Sequence, residues 1–156
     1  MSDLPRNPDR EPPALVAWLS YGGLLPFVGL IVLVGADAQR APVWSDALVG
    51  YGAVILSFVG ALHWGFAMTV AGLDPGVRRQ AFAWSVVPAL LAWPATVLAV
   101  SATSFILVLG FALHLAQDRR LAAHADLPAW YLPLRWRLTV VASLCLLANA
   151  WSGVRL

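Results

Sequence analysis

Residues 47–73 read ALVGYGAVILSFVGALHWGFAMTVAGL, an apolar run without a single Asp, Glu, Lys or Arg. An uncharged run of about 18 residues or more reads as a membrane-spanning helix, because a helix satisfies its own backbone groups where hydrocarbon offers no partner. Leu15–Gly35, Gln80–Gln117 and Leu138–Val154 share the property, and every charged side chain lies outside these four runs. The expected fold class is all-α: a polytopic membrane protein with five transmembrane helices and a short interfacial helix between the fourth and fifth.

Asp46 is placed to cap the helix over 47–73, and Asp74-Pro75-Gly76 forms a turn that stops it. The preceding helix, 14–35, carries Pro26 near its middle, where a neighbour must satisfy the carbonyl that the ring frees. The run from Gln80 to Gln117 spans 38 residues. As one helix it would be roughly 57 Å long at 1.5 Å per residue, far more than a hydrocarbon core of about 30 Å. Two passes fit better, turning at the polar cluster Ser101-Ala102-Thr103-Ser104, so helices are expected over 80–100 and 103–118. A last helix covers 138–154, with Arg137 and Arg155 snorkelling from its ends. Between them, Asp126-Leu127-Pro128 reads as a helix start. The alternation of aromatic, apolar and Arg residues over 129–137 suits a helix lying along the headgroups, interrupted at Pro133.

Composition agrees. Hydrophobic residues make up 60% of the chain and charged ones 12%, so too little polar surface remains for a soluble domain. One domain, 14–156, follows a proline-rich stretch, 1–13, that reads as a disordered cytoplasmic tail. The basic residues are all Arg, and their distribution is uneven. Arg6, Arg10, Arg78, Arg79, Arg119, Arg120, Arg135 and Arg137 fall on one side of a five-pass chain, Arg40 and Arg155 on the other. Positive charge stays cytoplasmic, which predicts a bacterial inner-membrane protein with its N-terminus in the cytoplasm and its C-terminus in the periplasm. A net charge of +2, without any matching motif, argues against nucleic acid. Cys145 is alone and cannot form an internal disulfide.

His63 stands out, since an ionisable residue within a span faces the bundle interior and either bonds a partner or serves a ligand. Gly60 and Ser57, one and two turns earlier, let another helix approach that face. The expected ligand-binding set is His63, Trp64, Ser57, Trp93 and Asn149, with Pro26, Pro88 and Pro94 opening a cavity beside Trp93. The competing reading gives His63 and Asn149 the role of interhelical polar glue. Trp130, Tyr131, Arg135 and Arg137 are expected to meet headgroups and anionic lipid. His114 and Asp118 lie four apart on one helix face and form a weaker candidate for a metal or for a solvated pair.

No HExxH, glycine-rich phosphate loop, CxxC or nucleophile–base pair is present in the sequence. The motif Ser57-Phe58-x-Gly60-x-x-His63-Trp64-Gly65, together with Pro128-x-Trp130-Tyr131-x-x-x-Arg135 leading into Leu138-Thr139, resembles the transmembrane-protein-69-like family over about 14–151. Bacterial members of that family are filed as a domain of unknown function, and eukaryotic ones are mitochondrial membrane proteins. The resemblance implies a small polytopic membrane protein and brings no catalytic residues with it. A likeness to the tryptophan-rich sensory/translocator proteins extends only to helix number, size and aromatic content. The expected function is non-enzymatic: binding a small apolar ligand, or supporting the assembly of a membrane complex. The alternative is a membrane-embedded protein or enzyme whose cofactor (haem, quinone or metal) is held by His63 and His114; the sequence names no cofactor.

Overall fold

The computed structural model describes residues 11–152, and the elements within them are all helices: α1 (Ala14–Gly22), α2 (Leu25–Ala36), α3 (Ala41–Thr69), α4 (Pro75–Ala95), α5 (Val100–Ala122) and α6 (Tyr131–Ser152). The expected tail, as far as residue 10, and Arg155 lie outside the described residues. Four stretches are long and apolar enough to cross a membrane: Ala14–Ala36 as a unit, Ala41–Thr69, Val100–Ala122 and Tyr131–Ser152. α4 has 21 residues but opens with Arg78, Arg79 and Gln80, which lower its hydropathy.

Pro26 breaks the first stretch rather than bending it. Its missing N–H and its ring end α1 at Gly22, and α2 restarts with the proline in its first turn. The Tyr51 hydroxyl donates to the exposed Gly23 carbonyl at 2.9 Å, so the break is satisfied from α3. α3 begins at Ala41, six residues earlier than expected, and therefore holds Asp46 inside the helix instead of at its cap. Asp74 caps α4, its Oδ1 accepting from the backbone N–H groups of Gly76 at 2.7 Å and Val77 at 3.2 Å. Arg78 then reaches back and donates to the carbonyls of Ala67 and Val70, closing the end of α3.

Two expected boundaries are corrected. The turn between α4 and α5 is at residues 96–99, and Ser101–Ser104 belong to α5. The Thr103 hydroxyl is spent inside: its Oγ1 donates to the Ala95 carbonyl at 2.6 Å, binding the end of one helix to the start of the next. The separate interfacial helix between α5 and α6 is not present as an element of its own. α6 starts at Tyr131 and runs without interruption through Pro133 and Arg137. Pro133 lies in its first turn, where a missing N–H removes no helical hydrogen bond.

The core gathers Phe27, Leu48, Leu56, Leu107, Phe111 and Leu146 from α2, α3, α5 and α6. Phe27 meets Tyr51 and Phe111 edge to face, at 5.0 and 6.4 Å between ring centres. α4 packs against α3 through Gly60, where a Cβ would lie 2.8 Å from Pro88 Cγ. The outside is the reverse of a soluble protein: Trp18, Leu19, Leu25, Val54, Phe58, Leu90 and Leu144 are all exposed. Such a surface is compatible with lipid as the solvent.

Candidate functional site

The helix ends that carry Arg78, Arg119 and Arg120 enclose a buried polar cluster, and its centre is Asp118. The side chain of Asp118 is fully buried on α5. Its Oδ2 accepts from Arg135 Nε of α6 at 2.8 Å. Its Oδ1 accepts from the Tyr131 hydroxyl at 3.0 Å and lies 3.0 Å from Nε2 of His63 on α3. His114, one turn earlier on α5, places its Nε2 3.6 Å from the same oxygen. Trp84 of α4 donates its indole N–H to His114 Nδ1 at 3.0 Å. Four helices meet on one carboxylate and the histidine beside it.

The hydrogen bonds assign the protons. An indole N–H only donates, so His114 Nδ1 accepts and the neutral ring carries its proton on Nε2. That nitrogen is buried and has no hydrogen-bond partner. The Asp118 oxygen, at 3.6 Å, is too distant. His63 donates through Nε2 to the carboxylate, whose charge is balanced by the Arg135 guanidinium. A buried pair of this kind is tolerated only when both ions are hydrogen-bonded, and here Tyr131 and His63 supply the additional donors.

His63, His114 and Asp118 bring ligand atoms within 4.8 Å of one another. The spacing alone would accommodate a metal, but the donor set does not. A metal on His114 Nε2 would require that nitrogen deprotonated while Nδ1 still accepts from Trp84. A haem between the histidines fits no better. Their ring centres are 4.9 Å apart with planes at 64°, which leaves no slot for a porphyrin between two axial ligands.

Beside this cluster a cavity of about 440 Å³ lies between α1, α3 and α6, lined among others by Val16, Leu62, Phe66, Phe111, Trp130 and Ala142. Tyr131 and Arg135 supply polar groups to its wall. Exposed Leu19 and Phe58 stand at its rim, on the outer surface of the bundle.

Of the residues expected to bind a ligand, only His63 belongs to the cluster, and none of the set lines this cavity. Ser57 donates to the Ala53 carbonyl of its own helix at 2.8 Å. Trp64 is half exposed and packs edge-on against Phe82, and Trp93 is exposed. Asn149 is fully buried and occupied as glue: it accepts from Ser45 Oγ at 2.8 Å and donates to Ser104 Oγ at 3.4 Å, joining α3, α5 and α6. Arg135 and Tyr131, expected at the headgroups, point inward to Asp118. Arg137 stays exposed and donates to the Tyr21 hydroxyl at 3.3 Å. The sequence did hold a signal for the missed pair: Tyr131 and Arg135 are four apart, hence on one face of any helix that starts before Pro133.

The family described as "Protein of unknown function (DUF3429)" matches residues 12–151. The chain belongs to this family. Transmembrane protein 69 of Xenopus tropicalis is 36% identical over 152 residues, covering 94% of this chain and 57% of that protein. Transmembrane protein 69 of Mus musculus is 29% identical over 135 residues, covering 86% and 54%. The chain thus spans little more than half the length of these relatives. No solved structure matches. With several apolar helices and relatives named as transmembrane proteins, the DUF3429 chain is a multi-span integral membrane protein.

Proposed function

We propose that this protein crosses the bacterial cytoplasmic membrane five times, with its N-terminus inside, and binds a small apolar ligand without catalysing its conversion. The fifth pass is α4. Its 21 residues are about 31 Å long at 1.5 Å per residue, enough for a hydrocarbon core, and its arginines sit at the end that would face the cytoplasm.

One observation carries the ligand reading: the 440 Å³ apolar cavity whose wall includes Arg135 and Tyr131. Ligand pockets run from about 300 to 1,000 Å³ and combine apolar walls with a few convergent polar groups. The rim residues Leu19 and Phe58 are exposed on the apolar outer surface, so a ligand dissolved in the bilayer would enter sideways. Val16→Trp fills this space from α1, a helix that contributes no side chain to the Asp118 cluster. We expect the wild-type protein, extracted in mild detergent, to carry a stoichiometric apolar molecule by mass spectrometry, and the variant to lose it while keeping its unfolding temperature. Equal ligand content in the two proteins, or none in the wild type, contradicts the reading.

A further inference from the structure

We infer that the ligand's polar end is an uncharged hydrogen-bond acceptor of the carbonyl type, an ester or a quinone, and that it docks on the terminal nitrogens of Arg135. The inference rests on the ligand reading above and adds the chemistry of the head.

A guanidinium carries five N–H donors. Arg135 is 7% exposed and spends only its Nε–H, on Asp118 at 2.8 Å. Among the described residues nothing accepts from its two terminal nitrogens, and the residue lines the cavity. These nitrogens are not sealed off, so an acceptor entering the cavity can reach them, and a charged donor beside apolar walls gains most from meeting one. The Tyr131 hydroxyl does not compete for the head, because it already donates to Asp118. Thr139 and Ser20, both on the cavity wall, are additional hydroxyls within the same space.

Charge decides which acceptor. The Asp118 carboxylate already neutralises Arg135, so the pair presents donors but no net positive charge. His114 adds none, because it accepts from Trp84 and is therefore neutral. A carboxylate head entering this space would bring an unbalanced negative charge into a low dielectric and face Asp118 behind the guanidinium. A carbonyl head takes the same hydrogen bonds without that penalty. Asp118 is in this sense a positioning residue: it orients the guanidinium and sets the sign of head that the cavity accepts.

The test compares palmitate with methyl palmitate, equal in chain and opposite in head charge, and adds a short-tailed benzoquinone. Full-length protein in mild detergent is titrated with each at equal mole fraction, at a pH where the free acid is ionised, and bound mass is read by native mass spectrometry. One neutral probe or both should bind at least about tenfold more tightly than palmitate. Which of them binds better identifies an ester or a quinone head. Asp118→Asn leaves the guanidinium uncompensated and should move the preference toward palmitate; Tyr131→Phe, which keeps the ion pair, should preserve the wild-type order. Palmitate binding as well as or better than both neutral probes to the wild type overturns the assignment, whether or not the Asp118 variant folds. Binding of no probe at all overturns instead the underlying reading that the cavity holds a ligand.

Discussion

Asp118 and Arg135 form the residue-scale unit on which the site depends. Removing one partner of a buried ion pair strands the other charge and costs about 3–5 kcal/mol, whereas replacing both with apolar groups of similar size is close to neutral. We therefore expect Asp118→Leu and Arg135→Met each to lower the unfolding midpoint of the purified protein sharply, and the double variant to unfold at a higher temperature than either. Losses that simply add would show that the two side chains do not act as a pair. Half of this unit was legible in the sequence. His63 announces itself inside an apolar run, and His114 with Asp118 fall four apart on one face. Arg135 was hidden, because an Arg between Trp130 and Trp136 has the same local pattern as a residue meeting headgroups. The choice between inward and outward depends on where α6 starts, and the prolines 128 and 133 obscure that start.

Among the elements, α3 and α4 meet at Gly60 through atoms with little freedom to move, whereas the nearer approach at Gly110, 2.5 Å from Leu56 Cδ2, is to the end of a flexible side chain. A Cβ at Gly60 would stand 2.8 Å from Pro88 Cγ and 3.1 Å from the Ser85 carbonyl, a ring and a backbone atom that do not swing aside. At Gly65, on the same helix, a Cβ meets nothing within 4 Å. Gly60→Ala should therefore destabilise the protein by about 1–3 kcal/mol through overpacking. Gly65→Ala should be neutral or stabilise it by up to about 1 kcal/mol, since alanine favours helix over glycine. The thermal midpoints of the two variants, measured side by side, check this; equal shifts would mean that α4 does not press on Gly60. The all-helical class survives from sequence to structure better than the helix ends do. Apolar runs report where hydrocarbon can solvate the chain, whereas ends are set by local chemistry. Pro26 splits its run, and Thr103 is polar because it bonds Ala95 across the turn, not because it forms the turn.

For the whole molecule, the Asp118 cluster at the arginine-rich end of the bundle draws its side chains from α3, α4, α5 and α6. Trp84 of α4 donates to His114, and that hydrogen bond is what fixes the His114 proton. Four stretches are long and apolar enough to cross a membrane; the proposed fifth pass, α4, rests on its length and on the charge at its start. An odd number of passes puts the two termini on opposite sides, an even number on the same side. The most direct measurement is a pair of reporters fused after Leu156, alkaline phosphatase and green fluorescent protein, in a bacterial host. Five passes with the arginine-rich end inside predict an active phosphatase and a dark fluorescent protein; a fluorescent fusion with an inactive phosphatase contradicts the account.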